Sequence, residues 1–110
     1  MATIEDFAKL DLRVGVVREV RDFPKARNPS YQVRLDFGPE IGERWSSLQA
    51  KGPYTMEDLQ GRQVVAVVNL PARNIAGFLS QVLVLGVPAE DGSLSLLEPE
   101  RAATLGGRVY

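Results

Sequence analysis

The order of apolar and polar positions along the chain runs through two periods, and each period predicts a different kind of element. Ile4, Phe7 and Leu10 recur at helical spacing, and Thr3 lies three residues ahead of Asp6 as a capping pair for exposed backbone amides, so a short helix is predicted over residues 3–10. From Leu12 the period drops to two, through Val14 and Val16, and then slips by one residue after Gly15 to continue at Val17 and Val20. A slip of parity needs an extra residue, so the first strand is predicted to bulge and bend. Asp22 to Ser30 contains Pro24 and Pro29, which cannot donate to a ladder and disfavour helix in the residue before them, and it reads as a loop.

Beyond that loop Tyr31, Val33, Leu35 and Phe37 alternate with Gln32, Arg34 and Asp36, the pattern of a strand buried on one face, and Gly38-Pro39 ends it. Glu43 to Gln49 is a third strand, with Trp45, Ser47 and Gln49 on one side and Arg44, Ser46 and Leu48 on the other. Thr55 to Leu59 reads as a short capped helix that Gly61 stops. Gln63 to Leu70 is a strand with valines on both faces, Pro71 to Ser80 a loop, Gln81 to Val87 the next strand, and Leu94, Leu96 and Leu97 mark one more short strand. A helix between the third and fourth of five strands is the order of an OB-fold. The expected fold is therefore all-β, a five-stranded Greek-key barrel.

One domain is expected over residues 1–110, with the barrel at about 11–88. The helix at 3–10 and an extension at 89–110 lie outside it. These flanks carry Phe7, Leu94, Leu96, Leu97, Leu105, Val109 and Tyr110, more apolar surface than a small barrel needs for its own closure. A contact with a second copy of the chain is the expected use.

Composition changes this picture mainly by exclusion. With 110 residues, 45% hydrophobic and 25% charged, the chain has the make-up of an ordinary folded domain. It has no cysteine and no histidine, which removes disulfides, thiolate nucleophiles, the commonest metal ligands and the side chain best suited to proton transfer near neutral pH. Ser46, Ser47 and Ser80 have no histidine to act as base, and no phosphate-cradling G-x-x-x-x-G-K-[ST] loop occurs. Neither catalysis nor a cofactor nor a metal is expected. The first residues lack the cationic and apolar segments of an export signal, and the aliphatic runs at Val64 to Val68 and Val82 to Leu85 are far short of a membrane span. A soluble, cytoplasmic protein without membrane insertion is expected. The net charge of -1 argues against a general coater of nucleic acid. Even so, Lys9, Arg13, Arg18, Arg21, Lys25, Arg27 and Arg34 face only Asp11, Glu19 and Asp22 within their stretch, leaving room for a local basic patch.

Ligands of OB-folds lie across the second and third strands and between the loops after the first and fourth. Lys25, Arg27 and Arg73 place cations there, either as ordinary solvated charge or as partners for phosphates and carboxylates. Trp45 and Phe78 offer aromatic faces for bases or apolar side chains, or else belong to the core and to a plug at the barrel end. Asn69 and Ser80 bracket the loop after the fourth strand, and Ser46 and Ser47 add hydroxyls to the third. Each can fix the backbone or touch a ligand.

Taken in order, Leu10-Asp11-Leu12-Arg13-Val14-Gly15, Asn69-Leu70-Pro71 and Ala76-Gly77-Phe78-Leu79-Ser80 resemble the tRNA-binding (EMAP-II-like) OB-fold domain superfamily, and within it the CsaA-type protein-export chaperones. Phe23 to Arg27, Asp36-Phe37-Gly38, Trp45 to Gln49 and Val82 to Gly86 extend the resemblance over nearly the whole chain. It implies a homodimer that binds unfolded, export-bound polypeptides without ATP, alongside the protein-export machinery. The alternative it implies is a tRNA-binding module, and a third reading is a structural dimerisation domain. Relatives that bind tRNA often carry a histidine in the loop after the first strand and a methionine soon after the serine. Here that loop has no histidine, and Val82 and Leu83 follow Gln81.

Overall fold

Strand β1 (Leu12–Asp22) is the axis of the structure, a computed structural model that describes residues 1–110. Its first half pairs with β4 (Gln63–Val67) and its second half with β2 (Tyr31–Asp36), both antiparallel. β3 (Glu43–Leu48) pairs with β2 and β7 (Leu83–Val84) with β4, giving one sheet in the order β3-β2-β1-β4-β7. The helix α1 (Ile4–Ala8) precedes the sheet, and α2 (Met56–Leu59) lies between β3 and β4, each opened by a capping box. A five-stranded antiparallel barrel with a helix at that position is an OB-fold, as the element order predicted.

One strand serves two partners because it bends. The register against β2 shifts between Val17 and Glu19, so Arg18 is the extra residue, three positions beyond the glycine where the parity slip begins. Gly15 lets the inner wall close up, since a Cβ there would stand 2.7 Å from the Phe37 ring. Tyr31, Val33 and Leu35 point inward from β2 as the alternation required, and they pack with Val17, Phe37, Leu48, Leu59, Val64 and Val82.

The chain after β4 departs from expectation. Pro71 to Ser80 is not a loop but mostly a hairpin, β5 (Arg73–Ile75) and β6 (Phe78–Ser80). Its two-residue turn needs positive φ at both centres, supplied by Ala76 at 49° and Gly77 at 86°, and the Gly77 N–H donates to Asn74 Oδ1 at 2.9 Å. Neither of these three-residue strands carries a readable period. The strand predicted over Gln81 to Val87 also divides, because β7 stops at Val84 and β8 (Gly86–Pro88) leaves the barrel to pair with β9 (Leu94–Leu96), the short strand expected there.

Side chains close the barrel where the ladder does not. The Gln81 N–H donates to the Trp45 carbonyl and the Trp45 N–H to Gln81 Oε1, both at 2.8 Å. The Ser47 N–H donates to Ser80 Oγ at 3.0 Å, and Ser46 Oγ donates to the Val82 carbonyl at 3.1 Å. Buried Ser46 and Ser80 thereby stitch β3 to residues 80–82.

The C-terminal segment covers the stretch of β1 that β2 leaves open. Val14 N–H donates to the Gly107 carbonyl at 3.0 Å, Gly106 N–H to the Val14 carbonyl at 2.8 Å, and Val109 N–H to the Leu12 carbonyl at 2.9 Å. Gly106 sits at φ 79°, where a Cβ would lie 2.4 Å from the Phe37 carbonyl oxygen. Replacing it with alanine is expected to cost about 2–3 kcal/mol, read as a lower urea midpoint. Gly77→Ala, also at positive φ but with no neighbour within 4 Å of the added carbon, is the reference substitution and is expected to cost about 1 kcal/mol.

Candidate functional site

The β1–β2 loop and the β5–β6 hairpin meet over the outer face of β2 and β3. The loop is pinned at its ends, with the Phe23 N–H donating to Asp22 Oδ1 at 2.9 Å and to the Ser30 carbonyl at 3.2 Å, so Phe23 is buried while Lys25 and Arg27 stay exposed. The tight turn sets Phe78 directly after Gly77 and aims it at Phe23, ring centres 5.3 Å apart and edge to face. Trp45 meets the same ring from β3 at 6.2 Å, with planes at 88°. Arg21 then lies over Trp45, 4.7 Å from the ring centre.

Phe78 is half-buried, and it parts two shallow grooves. One, about 440 Å³, runs between Phe23, Lys25, Gln32 and Phe78. The other, about 520 Å³, runs between Arg21, Gln32, Trp45, Phe78 and Leu79. At the base of the hairpin a third groove of about 380 Å³ is lined by Leu70, Pro71, Arg73, Ser80, Gln81, Val82 and Leu83. Leu79 and Leu83 keep 53% and 42% of their surface exposed, a large share for leucine beside an open groove.

The basic run of the first strand is mostly neutralised. Arg13 pairs with Asp11 at 2.6 Å, Arg18 with Asp36 at 3.3 Å, Arg34 with Glu19 at 3.2 Å and with Glu43, and Arg21 with Glu19. Lys51 pairs with Asp22. Asp36 and Glu43 come from β2 and β3, so pairing of the strands supplies acids that the local sequence lacks. Hydrogen bonds from Arg21 and then Arg34 hold the Glu19 carboxyl below its ordinary range, Lys51 and then the Phe23 N–H do so for Asp22, and the Gly38 N–H and then Arg18 for Asp36.

The nine residues singled out from the sequence divide by what their side chains do. Lys25, Arg27 and Arg73 are exposed and carry no ion pair, and Trp45 and Phe78 pack together at the groove edges. Ser46 and Ser80 are engaged in barrel closure, beside Ser47, whose backbone takes part. Asn69 ties the helix to β4, with Nδ2 donating to the Lys9 carbonyl at 2.8 Å and Oδ1 accepting from the Asp11 N–H at 2.9 Å. Gln32, Leu79 and Leu83 also line the grooves. The outward parity of Gln32 on the second strand was the one signal that could have marked any of them. No group of three or more carboxylates lies close enough to hold a metal ion, and no helix is long and apolar enough to cross a membrane.

An OB-fold barrel with aromatic-edged surface grooves and a polar, cationic rim has the architecture of a binding domain. The chain belongs to the family described as "Putative tRNA binding domain", which matches residues 12–108. Over its whole length it is similar to the CsaA chaperone protein of Picrophilus torridus, with 41% identity, a TM-score of 0.94 and full coverage of both chains. The chaperone CsaA of Bacillus anthracis is similar at 45% identity and a TM-score of 0.92, over 100% of this chain and 99% of that one. A methionine-tRNA ligase of Thermococcus onnurineus is 40% identical over 106 residues, which is 96% of this chain but only 14% of the ligase. The family is one of binding domains, not of catalysts.

Two outcomes follow from this geometry. Phe78→Ala removes the ring that both Phe23 and Trp45 contact, and is expected to cost about 2–4 kcal/mol and to shift emission from Trp45, the single tryptophan, to longer wavelength. An unchanged emission maximum would show that the three rings are not packed as described. Stability is expected to stay flat from pH 7 to about 5 and to fall below about 4. The sign follows from the lowered values of Glu19, Asp22 and Asp36, because the folded state binds their protons more weakly than the unfolded chain. Urea midpoints across that range check it, and a midpoint that rises on acidification contradicts it.

Proposed function

We propose that the chain is a CsaA-like holding protein that binds unfolded, export-bound polypeptides as a homodimer in the cytoplasm, without ATP, and passes them to the export machinery. The observation that carries this reading is the set of open grooves around the Phe78 hairpin, which have apolar floors and, at two of their rims, the unpaired Lys25 and Arg73. Such a surface offers weak, sequence-tolerant contacts to an extended chain and needs no specificity pocket. Similarity to the two CsaA chaperones over their full lengths supports it.

The dimer has its own support in α1. None of its residues is buried, and Ile4 and Phe7, together with the following Leu10, are exposed at helical spacing, with Tyr110 also exposed. Arg108 Nη2 donates to the Ala8 carbonyl at 3.1 Å, which keeps the C-terminal segment beside this helix. A second copy would cover both at once.

Binding of tRNA is the second reading, favoured by the family match and by the unpaired Lys25, Arg27 and Arg73. The net charge of -1 and the ion pairs along β1 and β2 leave few cations for a phosphate backbone. Titrating a labelled unfolded precursor peptide and labelled tRNA at about 50 and 300 mM salt separates the two readings. Peptide affinity is expected to change less than about threefold. Any tRNA affinity is expected to fall by more than tenfold. Tight tRNA binding with no peptide binding would reverse the preference, and binding of neither would remove both.

A further inference from the structure

Arg73, like Arg44 on β3, differs from most arginines of the barrel in having no carboxylate partner, and of the two only Arg73 lines the grooves. Arg13, Arg18, Arg21 and Arg34 each have a carboxylate partner, whereas no salt bridge of the chain involves Arg73. It is also shared between two grooves. The groove over Leu70, Pro71 and Leu83 ends at Arg73, and a second groove of about 550 Å³ starts there and runs between the end of β3 and β7–β8, over Leu83, Val87 and Leu94. Neither groove has an aspartate or glutamate among its lining residues.

The second groove has another property that limits its occupant. β3 and β7 are the two ends of the five-stranded order, and the side-chain stitches between them lie at residues 45–47 and 80–82. Past the stitches both strands have an unpaired edge on the groove, a backbone surface that suits an extended chain better than a helix. Apolar floor, strand edges and one unpartnered guanidinium together describe a ligand by complement.

We infer that Arg73 is a carboxylate-reading position, so that the grooves on either side of it select extended polypeptide segments in which an apolar residue stands close to an aspartate or glutamate. The planar guanidinium takes a carboxylate in bidentate fashion, and with no acid of its own nearby it has no internal competitor to displace. Residues two apart on an extended chain share one face, so a leucine over the Leu83 floor sets a glutamate two positions away within reach of Arg73. The inference rests on the polypeptide-holding reading and narrows it, because cationic segments would be disfavoured at this position.

The test uses three labelled peptides of about ten residues that differ at one position, with glutamate, glutamine or lysine two residues from a leucine. They are titrated by fluorescence anisotropy against the intact chain and against Arg73→Gln and Arg73→Glu. The wild-type chain is expected to bind the glutamate peptide roughly three- to tenfold more tightly than the glutamine peptide, with the lysine peptide weakest. Arg73→Gln is expected to erase that order and Arg73→Glu to invert it. Arg73 is exposed, so neither variant is expected to move the urea midpoint. Equal binding of all three peptides to the wild-type chain would overturn the inference and leave the holding reading intact, while binding of none would overturn both. Displacement of the peptides by tRNA, with tRNA affinity lost in Arg73→Gln and no glutamate preference, would assign Arg73 to phosphate and likewise overturn it.

Discussion

Everything at the grooved face depends on how β3 is joined to the segment after the hairpin. A continuous ladder is absent there, and Ser46, Ser80 and Gln81 substitute for it with four hydrogen bonds between 2.8 and 3.1 Å. Two of those side chains are buried, so losing a partner leaves a desolvated donor or acceptor, which costs about 1–3 kcal/mol. The join fixes the height of Trp45 on β3 and the direction in which β6 leaves the barrel, and those two settings bring Phe78 between Phe23 and Trp45. It also explains why an open groove survives in a barrel that is otherwise shut, since stitches at a few residues leave the strand edges beyond them unpaired.

Charge follows the same division between scaffold and rim. On β1 and β2, arginines pair with acids of the same or a neighbouring strand. On the loop and hairpin, Lys25, Arg27 and Arg73 form no ion pair. The pairs on the strands hold the surface together without presenting a field to solvent. Of the free cations, Lys25 and Arg73 stand at groove rims, where each can meet one anionic group. That balance accords with the proposed transient contact with polypeptides.

Most of the barrel was legible because its long strands carry a clear period. β2 alternates without interruption, and the parity slip in β1 announced a bend that the structure places at Arg18. Most elements of two or three residues were not legible, β9 (Leu94–Leu96) being the exception. β5 and β6 are set by a turn in which alanine takes positive φ, and β8 leaves the barrel beside a glycine packed against Leu94. At the site, residue type identified the free cations and the aromatic pair. It could not tell a serine that stitches strands from one that meets a ligand, nor foresee that Asn69 clamps the helix. It also counted the basic run against its sequence neighbours, whereas Asp36 and Glu43 reach it through strand pairing.

The segment at residues 106–109 that completes the first strand has a consequence for the order in which the molecule is assembled. Arg13 Nη1 donates to the Gly106 carbonyl across 93 positions of sequence, and the Arg108 guanidinium reaches the Ala8 carbonyl across 100. Loop closure over such spans is among the most entropically expensive steps a chain of this size can make, and contacts of this kind slow folding. A nascent chain therefore carries its first strand with one flank bare until residues 106–109 have been synthesised, and this wall of the barrel matures only once they are free to fold back onto it.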